Sequence, residues 1–326
     1  MGEEPTIIVT GAAGLIGSAV VRELNQQGRR RLLLVDRLGR SETWKNLVGK
    51  VFEDLIDIDE LWTWLAERTC TIEAIIHLGA CSSTLEQDAS YLLENNYRYT
   101  RRLAEYALVR SIRFIYASSA ATYGDGAQGF SDAHECLESL RPLNMYGYSK
   151  HLFDLWALRQ GLLDRLVGLK YFNVFGPNEW HKGRMASAVL HFTKQVQSEG
   201  AVRLFKSSEP DRFGDGDQCR DFIYVKDAAR MTCAFLQNSR GGIYNIGAGV
   251  PNTWNTLARA VFSGLERPAQ IQYVPMPDDL LGKYQNYTCA DMQKTRACLG
   301  AAAEVCPFPE AVEDYVCGHL VREERW

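Results

Sequence analysis

No run of 18 apolar residues occurs in this 326-residue chain, so no membrane-spanning helix is expected. Positive charge is not in excess: Lys and Arg number 36 against 40 Asp and Glu, giving a net charge of −4, and no basic run stands out. That balance argues against a nucleic-acid surface. The start, Met1-Gly2-Glu3-Glu4-Pro5, is acidic and lacks the apolar segment of a secretion signal. The six histidines are scattered and suggest no metal cluster. The nine cysteines form no Cys-x-x-Cys pair. Without an export signal they read as reduced thiols, several of them small fillers of the core. Internal repeats and low-complexity tracts are absent. With 46% hydrophobic and 23% charged residues, the chain is long enough for one large domain or two modest ones.

What is present begins at once. Thr6-Ile7-Ile8-Val9-Thr10 is a short β-branched run. It meets Gly11-Ala12-Ala13-Gly14-Leu15-Ile16-Gly17 and then a helical segment from Ser18 to Leu24. Strand, glycine turn and helix are the context that a dinucleotide fingerprint requires. The glycines let the backbone approach a pyrophosphate, and the helix N-terminus supplies N–H donors and the positive end of a dipole. The spacing is G-x-x-G-x-x-G rather than G-x-G-x-x-G. A second buried-type strand, 31–36, ends in Asp36, 19 residues past Gly17, where a ribose-binding carboxylate belongs.

Strand candidates continue at 50–53, 73–78 and 112–118, separated by helical segments at 14–28, 58–68 and 87–110. The alternation predicts an α/β fold with a doubly wound parallel sheet. A helix over about 145–165 leads into a sixth strand at 166–174. After Phe175-Gly176-Pro177 the texture changes. Segment 206–220 reads as a polar loop, and short pieces at 221–226, 243–246, 271–275 and 307–322 suit a smaller mixed α/β lobe over the carboxyl ends of the strands. The expected division is a dinucleotide-binding domain at 1–174. A substrate lobe at 175–326 follows, interleaved with the end of the sheet.

Within the expected helix lies Tyr146-Gly147-Tyr148-Ser149-Lys150, with Ser119 27 residues upstream of Tyr146. Tyr and Lys four apart project from one helical face. An ammonium beside a phenol is expected to lower the Tyr pKa, and a serine hydroxyl could share the proton in flight. This is equipment for taking a proton from an alcohol while hydride leaves its carbon. His77, after an apolar strand, reads as structural, and the aromatic-rich stretches 62–64 and 152–156 read as packing faces.

Together these motifs resemble the extended short-chain dehydrogenase/reductases, which have a Rossmann sheet. The resemblance covers the glycine loop, Asp54, His77-Leu78-Gly79-Ala80, Asn96, Ser118-Ser119, Tyr146-x-x-x-Lys150 and Tyr171-Phe172-Asn173-Val174-Phe175-Gly176-Pro177. Longer strings resemble the ADP-L-glycero-D-manno-heptose 6-epimerase group. They are 79–84, Asn95-Asn96-Tyr97, 116–124, His181-Lys182-Gly183-Arg184-Met185-Ala186-Ser187, Arg220-Asp221-Phe222-Ile223-Tyr224-Val225 and 283–291. That group supplies the heptose of lipopolysaccharide inner core. The resemblance therefore implies a bacterial cytoplasmic enzyme, an ADP-heptose-type nucleotide sugar as partner, and a homo-oligomer, pentameric by analogy.

The resemblance also implies roles. Gly11, Gly14, Leu15, Ile16 and Gly17 would cradle the pyrophosphate. Asp36 and Arg37 would meet the adenosine ribose, with Asp54 and Leu55 bordering adenine. Leu78, Gly79, Ala80, Cys81, Ser82, Asn95 or Asn96, Lys150, Val174 and Lys182 would lie on the nicotinamide side. Ser83, Asn173, Arg184, His191, Phe205, Lys206, Ser207, Ser208, Arg220 and Tyr284 fall at substrate positions, and the Arg220 fork suits diphosphate oxygens. Ser119, Tyr146 and Lys150 would be catalytic, joined by Lys182 as a second acid/base for the opposite face of the carbinol.

Departures from the pattern are local. Thr43 stands where the group carries a Lys for the 2′-phosphate of NADP. Arg37 and Arg40 could replace it, which keeps NADP as the expected cofactor with NAD possible. Arg184 replaces a small Ser, Lys206-Ser207 replaces Glu-Gly, and the 209–219 loop is longer. The sugar is open to that extent, so another nucleotide-sugar epimerase, such as a 4-epimerase, is the alternative. A 4,6-dehydratase would carry Thr-Asp-Glu where this chain has Ser119-Ala120-Ala121. A non-enzymatic NADP sensor would be expected to lose the Tyr or the Lys.

Overall fold

Residues 4–67, 70–277 and 285–326 are described by a computed structural model of the chain. Its strands are β1 (Thr6–Thr10), β2 (Leu32–Val35), β3 (Asp54–Ile56), β4 (Ile72–His77), β5 (Arg113–Ser119), β6 (Leu166–Tyr171), β7 (Asn173–Phe175), β8 (Val202–Phe205), β9 (Cys219–Tyr224), β10 (Gly242–Ile246), β11 (Pro251–Thr253) and β12 (Ile271–Val274). Every residue of β1, β2, β6 and β10 is buried. Such unbroken burial belongs to a parallel sheet covered on both faces. Seven strands form it, all parallel, in the order β3-β2-β1-β4-β5-β6-β10. The order reverses beside β1, which opens a crevice at the carboxyl ends of β1 and β4.

The helices are α1 (Leu15–Gln26), α2 (Leu61–Glu67), α3 (Ala89–Leu92), α4 (Tyr99–Val109), α5 (Met145–Arg159), α6 (Ala188–Glu199), α7 (Val225–Ala234), α8 (Trp254–Gly264), α9 (Gln293–Leu299) and α10 (Phe308–Tyr315). Local chemistry starts several of them. Asn144 accepts from Gly147 N at 2.8 Å to cap α5, and Thr253 accepts from Thr256 N at 2.9 Å to cap α8. A π-helical turn, Leu93–Arg98, joins α3 to α4. Among the described residues no helix is long and apolar enough to cross a membrane.

Four elements differ from the sequence reading. The edge strand lies at Asp54–Ile56, not 50–53, because the Asn25 side chain captures both the N–H and the C=O of Val51 at 2.8 Å. Helix α5 stops at Arg159, short of 165, where Leu162 N turns back to Ala157 O at 2.9 Å and Gly161 takes φ +64°. The expected strand 166–174 breaks at Phe172. Its N–H still reaches Ile246 O at 2.9 Å, but its ring packs with Tyr123 and Phe130, and the chain swings away. Past that break, β7 joins a separate mixed sheet, parallel to β9, with β11 antiparallel on its other side. Segment 243–246 returns to the main sheet as β10 instead of staying in the lobe. A two-stranded parallel pair, β8 and β12, completes the smaller layer with α6 and α8.

Candidate active site

One cleft of about 1350 Å³ runs over the carboxyl ends of the main sheet and under the smaller layer. Its floor is the glycine turn. Gly11 N donates to Val35 O at 2.8 Å and Gly14 N to Gly11 O at 3.1 Å. A Cβ on Gly17 would lie 2.0 Å from Gly11 O, so α1 reaches the turn only because that side chain is absent. Gly14 caps α1 without a side-chain hydrogen bond, and Leu15, Ile16 and Gly17 line the cleft. The open N–H groups of that first turn fit a pyrophosphate.

Asp36 lines the same end. One carboxylate oxygen accepts from Ala13 N and the other from Arg37 N, each at 2.8 Å. Burial raises its pKa against those two bonds, and Asp57 adds to the rise. The Arg37 guanidinium is turned to Asp59 at 2.5 Å and Asp57 at 3.6 Å, and both it and Arg40 are exposed off the cleft wall. Thr43, uncharged, does line the cleft. Asp54 and Leu55 sit on edge strand β3 beside β2, off the wall.

Leu78, Gly79, Ala80 and Ser82 form the wall after β4, and Cys81 is half-buried off it. Asn96, buried in the π turn, holds this loop. Its Oδ1 accepts from Cys81 N, and its Nδ2 donates to Cys81 O, both at 2.9 Å, and to Ser149 Oγ at 3.0 Å. Asn95 donates to Asn96 Oδ1 at 3.1 Å. Ser149 Oγ donates in turn to Tyr146 O at 2.7 Å. Neither Asn is on the cleft wall; the pair ties the loop to the helix that carries the phenol. His77 is held by Thr10 at 2.6 Å and Thr100 at 2.9 Å, and burial pushes its pKa down to about 3.

Ser119, Tyr146 and Lys150 converge on the cleft. A Cβ on Gly147 would meet Ala121 O at 2.7 Å, so glycine there is what lets α5 bring Tyr146 down to the end of β5. The phenol hydrogen-bonds to Ser119, which lowers its pKa, but burial is larger and the net shift is upward. The expected lowering by Lys150 is not what the geometry produces. Lys150 Nζ donates to Ala117 O at 2.8 Å, and burial brings its own pKa down to about 8, opposed by Asp154.

Past the strand break at Phe172, Asn173 and Val174 of β7 and, beyond it, His181 and Lys182 also line the cleft. Burial lowers the Lys182 pKa, opposed by the Glu179 charge. From the smaller layer come His191, Phe205 and Arg220. Arg220 is buried, donates to Cys219 O at 2.9 Å, and stacks 5.6 Å over the Trp254 ring. It does not pair with Asp221, whose carboxylate accepts from Ala248 N, Gly249 N and Ala290 N. Arg184, Lys206 and Ser208 are exposed and off the wall. Ser83 and Ser207 are half-buried and also off it, with Ser207 N donating to Asp215 at 2.9 Å. Tyr284 lies outside the described residues.

Sequence reasoning missed an aromatic wall. Trp254 stacks edge-on against Phe222 at 5.3 Å and Phe192 at 6.3 Å, and all three line the cleft. Phe192 and Gln195 adjoin His191 on α6, a signal within reach. Trp254 opens α8 and carries no motif.

The model of the NAD dependent epimerase/dehydratase family matches residues 7–247. The chain belongs to that family. It is 48% identical over 316 residues, 96% of this chain and 97% of the other, to ADP-L-glycero-D-manno-heptose-6-epimerase of Nitratidesulfovibrio vulgaris. To the enzyme of that name from Fusobacterium nucleatum it is 44% identical, covering 98% and 99% of the two chains. Among solved structures it is similar to the Helicobacter pylori ADP-L-glycero-D-manno-heptose-6-epimerase, with TM-score 0.78, 26% identity and 96% of each chain covered. The family's nicotinamide dinucleotide fits the glycine cradle and Asp36 described above.

Proposed function

We propose that this family member interconverts ADP-D-glycero-D-manno-heptose and ADP-L-glycero-D-manno-heptose by transient oxidation at C6″. The observation that carries the reading is that one cleft is lined by Tyr146 and Lys150 of α5 with Ser119 of β5, and by Lys182 from the separate segment between β7 and α6. Near-full-length similarity to heptose 6-epimerases supports the sugar. When bound, the nicotinamide would supply a hydride acceptor that serves as donor in the second half-reaction, so there would be no net redox change. The two configurations of the carbinol place its oxygen differently. Tyr146 exchanges the proton for one, with Ser119 holding the phenol in line, and Lys182 exchanges it for the other. Burial lowers the Lys182 pKa, which favours base chemistry nearer neutrality. Lys150 would hold a ribose hydroxyl of the dinucleotide beside Tyr146. Arg220, kept rigid on Trp254, clamps the diphosphate of the sugar nucleotide, and the Phe192–Trp254 wall offers a face to its base.

The test is to incubate the purified protein with ADP-D-glycero-D-manno-heptose in deuterated water and follow C6″ by NMR. The L-epimer is expected to accumulate without deuterium at C6″. Deuterium there would end the hydride-return mechanism, and an unchanged sugar would end the substrate assignment. UDP-glucose in a parallel sample checks for 4-epimerisation.

The sequence favoured NADP, but the surroundings of Asp36 support NAD. A 2′-phosphate would meet the Asp36 carboxylate with Asp57 beside it, while Arg37 is engaged by Asp57 and Asp59 and Thr43 brings no charge. A single unscreened like-charge contact is worth about tenfold in affinity. NAD⁺ is therefore expected to bind about tenfold tighter than NADP⁺ by calorimetry, and Asp36→Ala with Thr43→Lys should reverse the order. Tighter NADP⁺ binding by the unaltered protein would show that Arg37 or Arg40 leaves its place in the ion pairs or the solvent to take the phosphate.

A further inference from the structure

The segment between β7 and α6 is drawn together by one side chain. Glu179 is fully buried. Its Oε2 accepts from Ser187 N and its Oε1 from Ser187 Oγ, both at 2.5 Å. Ser187 Oγ also accepts from Leu190 N at 3.4 Å, capping α6. The carboxylate thus pins the far end of the 179–187 loop to its near end and to the helix that carries His191. Inside the loop, Lys182 N donates to Glu179 O at 2.9 Å.

Lys182 lines the cleft from that loop, three residues after Glu179, and the Glu179 charge opposes the lowering of its pKa by burial. The groups around the pair are few. His181, next in sequence, is kept neutral by burial at about 4, with the Lys182 and Arg325 charges acting the same way. From α10, the Tyr315 hydroxyl faces Glu179 without a hydrogen bond of regular geometry, and Tyr224 of β9 faces Tyr315. Nothing in the reaction as derived above uses Glu179, yet a buried carboxylate is costly unless something holds it.

We propose that Glu179 is the positioning residue of the second proton carrier: its carboxylate closes the 179–187 loop on Ser187 and so holds Lys182 at the cleft wall, with a negative charge in the same closed loop. The inference rests on Lys182 exchanging a proton with the carbinol. Burial draws the Lys182 pKa down and the carboxylate opposes it. Removing the negative charge while keeping the shape must therefore lower that pKa further. In the direction where Lys182 is the base, the acid limb of the rate profile moves to lower pH. In the direction where it is the acid, the alkaline limb moves the same way.

The experiment is the pH dependence of kcat in both directions for the holoenzyme and for Glu179→Gln, Glu179→Asp, Ser187→Ala and Lys182→Met, each with a thermal melt. Glu179→Gln is expected to displace the Lys182-dependent limbs downward by about one pH unit, and Glu179→Asp to bring them back. Ser187→Ala keeps the charge but loses one anchor, so it should lower kcat several-fold with the limbs in place. Equal loss of rate in Gln and Asp without displacement would overturn the proposal and leave Glu179 a structural residue. Full rate in Ser187→Ala would overturn the clamp even where Glu179→Gln does not fold. Full turnover in Lys182→Met would overturn the two-carrier reading itself, and the inference with it.

Discussion

Lys182→Met is expected to lower kcat by roughly 10²–10⁴-fold in both directions, and Tyr146→Phe by a similar factor. Loss in both directions is required because each epimerisation uses one proton carrier to oxidise and the other to reduce. A net dehydrogenase would need only Tyr146 and would tolerate the Lys182 change. The two variants should also separate the half-reactions. With Lys182 gone, the epimer whose oxygen reaches Tyr146 can still be oxidised, so the absorbance of reduced nicotinamide should rise on adding that epimer and not the other. With Tyr146→Phe the preference should be exchanged. If both variants responded to the same epimer, a single carrier would be serving both faces and the Lys182 assignment would fall.

The two carriers were unequally legible. Tyr146 and Lys150 announce themselves by helical spacing, and the glycine turn by its place between a strand and a helix. Sheet composition was equally open, because β1, β2 and β6 are short runs dominated by aliphatic residues. What the pattern missed depends on tertiary contacts. The break at Phe172 follows from ring packing with Tyr123 and Phe130, and it moves Asn173 and Val174 from the sheet to the cleft wall. The direction of the Tyr146 pKa shift is not legible in the spacing, which puts Lys150 near but does not say where its ammonium points, which is to Ala117 O. The pairing of Arg37 with Asp57 and Asp59, about twenty residues on, has no signal in the sequence pattern. Trp254 and Glu179 carry no periodicity at all. Their roles come from an aromatic wall and a loop closure that only the folded chain assembles.

The other large effect concerns a pair that touches no substrate. Asp154 and Lys170 are fully buried and 3.0 Å apart. Asp154 also accepts from Tyr116 at 2.9 Å and Ser118 at 2.7 Å, while Lys170 donates to Thr122 and lies 4.9 Å over the Tyr123 ring. Asp154 is one turn beyond Lys150 on α5, Ser118 precedes Ser119, and Thr122 follows it. The network therefore joins the helix bearing Tyr146 and Lys150 to the strand end bearing Ser119. Leaving one charge buried alone is expected to cost about 3–5 kcal/mol, so Asp154→Asn or Lys170→Met alone should unfold at markedly lower denaturant. Together they remove both charges, and the double variant should lie closer to the parent than either single one, giving a measurable coupling. Stability and catalysis should then part. The Asp154 charge holds the Lys150 pKa up against burial, at about 8. Without it that pKa falls, so the cation is lost at lower pH and the alkaline limb of turnover moves down with it, even in the recovered double variant. A double variant with both stability and pH profile restored would confine the pair to the fold. A displaced limb in a stable protein would make it part of how Lys150 is kept charged beside Tyr146.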